Sequence, residues 1–376
     1  MNSPIEPGVT AVRIRPPSVA LRAGHVAARL RDRVPDGIEP WSYAVIVVAS
    51  LGQMATILIT WPLWRHRGGG PPNLPIVDVL ASVPWGVPLL LAAAVALTRP
   101  RLGGLAFCAL FALSILGDQT RLQPEIVSLA LLMVAPAFGA QGRTVARWHL
   151  ATLWLWAGVH KVLSLGWPTG AAAFIANALG LPGQRRAVAL LLPLVEIGLG
   201  LTAMRRRTWR VAAWGGLAFH LGTLFTLAVL ARWGEAIWAW NLALGLCAVL
   251  LFARRDPGVA RPATRAVAVG LLVYPGLFYV GWGDPYLAHN LYSNNLPRAV
   301  VCDATGHSCA LAPGADTIYR ISVPLPAQPH LFRRLFEQSC APGTTLKLIG
   351  RATRLTNPPS VSLHPCPATE AVPPKA

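Results

Sequence analysis

Long apolar runs, separated by short basic or turn-rich segments, constrain this chain more than any motif in it. A peptide in hydrocarbon must satisfy its backbone N–H and C=O groups internally, so such a chain folds as membrane-spanning helices. Nine runs are predicted to be helices, at about 42–63, 77–98, 102–117, 125–140, 148–165, 187–204, 211–231, 236–253 and 266–283. Composition agrees, with 54% hydrophobic and 13% charged residues and a mean hydropathy of +0.48, whereas soluble domains carry about 25% charged residues.

The formal net charge of +18 would suit a nucleic-acid surface, but the arginines sit in clusters between the apolar runs. That distribution is the positive-inside pattern, not a phosphate-tracking face, and a nucleic-acid partner is excluded on that ground. One predicted side holds Arg99 and Arg101, Arg143 and Arg147, Arg205, Arg206, Arg207 and Arg210, then Arg254, Arg255, Arg261 and Arg265. The other holds chiefly Arg65, Arg67, Arg121, Arg185, Arg186 and Arg232. The expectation is a multi-pass protein of a bacterial inner membrane with its N-terminus inside and its C-terminus outside. Residues 1–41 are Pro- and Arg-rich and lack an apolar h-region, so they read as a basic cytoplasmic arm without a secretory signal.

The predicted fold class is an all-α polytopic helix bundle over 42–283, followed by a small α/β extracytoplasmic domain over 284–376. In that domain Tyr319, Ile321 and Val323 alternate as a strand, Leu331, Phe332, Leu335 and Phe336 form a helical stripe, and Thr345 to Ala352 reads as a second strand. A β-α-β unit fits the order. Cys302, Cys309, Cys340 and Cys366 all lie there, which points to an oxidising compartment and two disulfides. Of the three pairings, Cys302 with Cys309 and Cys340 with Cys366 is favoured. A zinc site from these cysteines with His307 or His364 is the alternative. Between the fifth and sixth helices, Pro168 to Arg186 is too interrupted by Gly and Pro to span and reads as a surface or re-entrant element.

Ionisable side chains inside an apolar helix cost about 2.5–3.5 kcal/mol at mid-membrane on insertion scales, so those present have partners or line a cavity. Lys161, one of only three lysines with Lys347 and Lys375, lies near the far end of the run Arg147 to Pro168, and His160 precedes it. Glu196 is central to the sixth helix and His220 to the seventh, while Asp118 and Arg121 sit in the polar hairpin Gly117 to Glu125. Each has a bland reading: Lys161 snorkels, His160 and His220 are satisfied packing residues, Glu196 pairs with Lys161 or His220, and Asp118 pairs with Arg121 at i to i+3. The sharper reading makes Lys161 a base whose apolar site favours the neutral amine, at an outer-side cavity bordered by the others. No phosphate-binding loop, nucleophile elbow, zinc-protease helix or dinucleotide fingerprint occurs in a credible setting.

The segment LWLWAGVHKVLSLGW, Leu153 to Trp167, resembles the Ala-Gly-x-x-Lys-Leu helix of the horizontally transferred transmembrane domain family, to which vitamin K-dependent gamma-carboxylase belongs. LGDQTRLQPE from Leu116, LPLVEIGLGL from Leu192, AFHLGTLFTL from Ala218 and LYSNNLPR from Leu291 resemble further segments of it. The likeness covers roughly residues 100–300. It implies that Lys161 matches the lysine that deprotonates a reduced quinone, with His160 replacing the lysine before it, and that a quinol is the substrate. The chain departs from the family in the hairpin, where Arg121 stands in place of a histidine. Part of the likeness is shared with DoxX-like proteins, which implies instead a quinone-binding subunit needing a redox partner. A non-enzymatic membrane scaffold is the third class.

Overall fold

The computed structural model describes residues 35, 37–65, 74–254, 261–305, 308–311, 326–355 and 358–367. The basic arm before residue 35, His307 and the strand expected at Tyr319, Ile321 and Val323 lie outside the described residues. The principal helices are α1 (Pro40–Ile59), α2 (Gly86–Ala96), α3 (Pro100–Gly117), α4 (Pro124–Val134), α5 (Gly139–Leu163), α6 (Ala171–Ala178), α7 (Arg185–Met204), α8 (Trp209–Phe225), α9 (Trp238–Phe252) and α10 (Pro262–Val273). Among the described residues, seven helical runs are long and apolar enough to cross a membrane. They expose large apolar side chains outward, such as Leu58, Leu102, Leu190, Val211 and Val269, which is the surface a lipid bilayer covers.

Local chemistry explains the helix ends. Proline opens α1, α3, α4 and α10, where its missing N–H costs nothing because the first turn has no acceptor for it. At the end of α1 the hydroxyls of Thr56 and of the cap residue Thr60 donate back to the carbonyls of Gly52 and Thr56 at 2.9 and 2.7 Å, which hides them from the apolar surroundings. The run Pro124–Leu163 has 40 residues, about twice what one crossing needs. A 3-10 turn, Ala135–Phe138, and Gly139 at φ 72° divide it into α4 and α5.

Two expectations change. The helix predicted over 77–98 is a one-turn helix, Asp78–Ala81, followed by the 11-residue α2, which is shorter than a crossing. Arg147, expected in a loop, is buried inside α5, where its guanidinium lies 4.3 Å from the Trp209 ring centre and its Nε donates to Leu251 O at 2.7 Å. The ring face and the carbonyl offset the desolvation of the cation.

The C-terminal domain is an antiparallel four-stranded sheet in the order β2-β1-β3-β4, from β1 (Arg298–Cys302), β2 (Cys309–Leu311), β3 (Thr345–Ile349) and β4 (Val361–Pro365). The helix α11 (Pro329–Ser339) packs Phe336 against Ala299, Leu346 and Leu348. The first strand of the expected β-α-β unit lies outside the described residues; of the described strands, β3 pairs antiparallel with β1 and β4. Cys302 bonds to Cys309 directly across the β1–β2 register, and Cys340 bonds to Cys366. These bonds remove the thiolates that the zinc alternative requires. The domain caps one end of the bundle: Arg354 N donates to Leu163 O at 2.8 Å, Leu165 N to Ala352 O at 3.1 Å, and Arg334 to Pro75 O at 3.1 Å.

Candidate functional site

Helices α5 and α7 cross so closely that glycine is required at both contact points. A Cβ at Gly158 would lie 2.6 Å from Pro193 O, and one at Gly200 would lie 2.7 Å from Leu155 N. Pro193 inside α7 has no N–H to offer the carbonyl of Ala189 one turn back, and the Trp167 indole N–H takes that carbonyl instead at 2.9 Å. This close crossing sets Lys161 of α5 beside Glu196 of α7. The Lys161 Nζ donates to both Glu196 carboxylate oxygens at 2.7 Å and to Ala157 O at 3.4 Å, and lies 5.4 Å from the Trp167 ring centre. Lys161 is 7% exposed and Glu196 5%, so the pair is a buried one.

Both residues face a cavity of about 700 Å³ enclosed by α5, α6, α7, α8, the start of α9 and the segment 289–294. Its wall is mostly apolar or aromatic, including Leu153, Trp154, Phe174, Phe219, Trp233 and Trp240. Among the described residues, Lys161 is the only lysine or arginine lining it. The geometry is that of a pocket for a lipophilic molecule with few polar contacts.

His220 also lines the cavity, but its ring is committed. The Trp154 indole, a donor only, donates to Nε2 at 3.0 Å, so Nδ1 carries the hydrogen and donates to Asn241 Oδ1 at 2.9 Å. His160 turns away from Lys161, as the step of about 100° per residue dictates. Its Nε2 donates to Ala288 O at 2.8 Å, and Nδ1 accepts from the Tyr279 hydroxyl at 2.7 Å. Asp118 caps the hairpin turn by accepting from Thr120 N at 3.1 Å and Thr120 Oγ at 2.8 Å. Arg121 is fully buried and donates from Nε to Leu63 O at 3.1 Å. The structure thus brings Lys161, Glu196 and His220 to one cavity, while His160, Asp118 and Arg121 are not among its lining residues.

A second polar group joins His289, which follows the ninth predicted helix, and Glu125, at the end of the polar hairpin, to His149, which the sequence does not single out. Glu125 is fully buried with neither carboxylate oxygen hydrogen-bonded among the described residues, His149 contacts Ser128 Oγ at 2.8 Å, and the His149 and His289 rings meet edge to face at 5.4 Å. One signal was legible: His149 and His160 are eleven residues apart, which returns them to the same helix face. Burial raises the Tyr292 phenol above its ordinary range, and the nearby Glu125 carboxylate adds to the effect.

Burial also depresses the His289 imidazole to about 4, whereas in an unfolded chain it titrates near 6.5. Between these values the unfolded chain binds the extra proton, so this contribution to stability is complete above about pH 6.5 and is lost as the pH falls toward 4. The expected result is a lower melting temperature at pH 5 than at pH 7, with a smaller difference in His289→Asn. Equal differences in the two proteins would contradict it.

Compared with family models, curated proteins and solved structures, the chain matches none of them.

Proposed function

We propose that this protein is a membrane enzyme that deprotonates a lipophilic, quinol-type substrate in the cavity, with Lys161 as the base and Glu196 as its proton partner. The observation that carries the reading is the buried Lys161–Glu196 pair on the wall of an otherwise apolar cavity. At rest the pair is an ammonium against a carboxylate. Passage of the ammonium proton to Glu196 leaves a neutral amine beside a carboxylic acid. The amine then takes the proton of a substrate hydroxyl: the O–H bond breaks, an N–H bond forms, and the electron pair stays on oxygen. The site is neutral before and after, because the oxyanion forms beside a newly cationic lysine. In an apolar cavity that neutrality matters, since an uncompensated charge is strongly disfavoured there. This is the base chemistry implied by the resemblance to the horizontally transferred transmembrane domain family.

The topology that accompanies this reading counts α4 and α5 as separate crossings and α2 as a ninth, short one. Nine crossings put the termini on opposite sides, with the N-terminus inside and the C-terminal domain outside, as the arginine bias suggests.

A second reading, favoured by the saturation of both Glu196 oxygens by Lys161, makes the pair a brace between α5 and α7 in a non-enzymatic scaffold. Mass spectrometry of the protein purified in mild detergent separates the readings. A copurified quinone, with its turnover abolished in a folded Lys161→Ala variant, is the expected result. Turnover unchanged in that variant eliminates the base role, and reduction only in the presence of a copurified redox subunit favours the DoxX-like alternative.

A further inference from the structure

Four described residues other than glycine have positive φ: Arg232 at 49°, His289 at 60°, Tyr292 at 58° and Asn294 at 60°. The last three line the cavity, and Arg232 adjoins the lining residue Trp233 at the end of the π-helical turn Thr226–Ala231. Left-handed backbone costs free energy for any residue with a Cβ, most of all for a bulky one such as tyrosine, and glycine would remove the cost. Such strain persists where surrounding structure over-determines it, typically at a site of function. Here the surroundings do so. Asn295 donates to His160 O at 3.3 Å, His160 donates to Ala288 O, and Ser293 bonds to Asn290 and Asn295. Asn294 Oδ1 accepts from Ala171 N at 3.2 Å, and Gly170 lies so close that a Cβ there would be 2.2 Å from the Asn294 amide nitrogen.

His289 and Tyr292 on this loop, with Trp240 on α9, differ from Lys161, Glu196 and His220 in one respect. Lys161, Glu196 and His220 have their hydrogen bonds filled by the protein. The Trp240 indole N–H has no acceptor, and the His289 imidazole and Tyr292 hydroxyl have no hydrogen-bond partner among the described residues, although His289 contacts the His149 ring and Tyr292 the Trp233 ring. Glu125, buried and without a hydrogen bond among the described residues, lies close enough to Tyr292 to influence its ionisation. A buried donor without an acceptor is costly, which applies to the Trp240 N–H, while His289 and Tyr292 are part-exposed on the cavity wall and keep their polar atoms open to a ligand.

We propose that the strained loop Ala288–Asn295 is the head-group recognition edge of the cavity, where His289, Tyr292 and Trp240 hydrogen-bond an uncharged, oxygen-bearing head of the quinone or quinol class. This rests on the reading of the cavity as a quinol site and specifies how that ligand is held. The head is neutral because Lys161, among the described residues the only lysine or arginine on the wall, is already neutralised by Glu196, so a phosphate or carboxylate head would enter a mostly apolar cavity without a counter-charge. A carbonyl oxygen accepts from the Trp240 N–H and the Tyr292 hydroxyl, and a hydroxyl can donate to the imidazole of His289.

The test is titration of the full chain in detergent with decylubiquinone, read by quenching of tryptophan fluorescence, since Trp154, Trp167, Trp233 and Trp240 line the cavity. Quenching in the wild type with at least tenfold weaker apparent affinity in His289→Asn/Tyr292→Phe is expected. Asparagine tolerates the left-handed backbone, and Tyr292→Phe alone, which removes a single oxygen atom, is expected to weaken binding about threefold and serves if the double variant fails to fold. Unchanged affinity in a folded variant overturns the loop assignment while leaving the cavity as a quinone site. Absence of quenching in the wild type, with no quinone copurified, overturns both.

Discussion

Replacing Glu196 with leucine is expected to cost about 3–5 kcal/mol of stability, because it leaves the Lys161 ammonium buried without its counter-charge. Both carboxylate oxygens accept from Nζ at 2.7 Å and both residues are more than nine-tenths buried, so little solvent is at hand to replace the lost partner. The double variant Lys161→Met/Glu196→Leu is expected to recover most of that loss. An apolar pair of similar volume avoids the desolvation of two charges, and such replacements are often neutral or stabilising. Thermal unfolding of the wild type, both single variants and the double variant measures the coupling as a cycle. A double variant as unstable as Glu196→Leu would show that the crossing, and not the charge, is what the substitution damages. The cycle also bears on function, because a tolerated double variant that has lost turnover separates chemistry from bracing.

The second large effect is expected at Gly200. Any side chain there meets the backbone of Leu155, with N at 2.7 Å and Cα at 2.8 Å from the position of a new Cβ, and backbone cannot rotate out of the way. Overpacking of this kind typically costs 1–3 kcal/mol and occasionally more, and Gly200→Leu is expected to lie at or beyond about 3 kcal/mol by the same rule. Since Glu196 is one turn from Gly200, parting of the helices also draws the carboxylate away from Lys161. Gly198 on the same helix is the internal control. Nothing lies within 4 Å of a Cβ built there, so Gly198→Ala is expected to stabilise by up to about 1 kcal/mol through helix propensity. Melting temperatures that fall equally for both substitutions would contradict the close crossing.

What could be read in the sequence follows from what lies close along the chain. Apolar length locates the helices, since a crossing needs about 20 residues whatever its neighbours. The same rule fails at 77–98, where Pro84 and Pro88 interrupt an apolar stretch and the chain makes a one-turn helix and a short one. It misplaces Arg147 for a related reason: a charge is normally read as a loop residue, and only the fold reveals the Trp209 ring and the Leu251 carbonyl that accommodate it. Lys161 and Glu196 were each conspicuous as charges in apolar helices, and their pairing was among the alternatives open to reasoning. Glu125, His149 and His289 come from three separate segments, and no spacing rule connects them. The positive φ at His289, Tyr292 and Asn294 carries no glycine to announce it, so the strained loop is visible only in three dimensions.

The backbone bonds between Leu163 and Arg354 and between Leu165 and Ala352, with the bridge between Ser164 and Thr353, join the C-terminal domain to the helix end that carries Lys161. Only one residue, Val162, separates Lys161 from the first of these bonds. The domain and the lysine therefore share one lever arm. A load on the domain reaches the amine through a few peptide units, with no flexible linker to absorb it, and the position of Lys161 relative to Glu196 becomes a mechanical property of how the domain is seated.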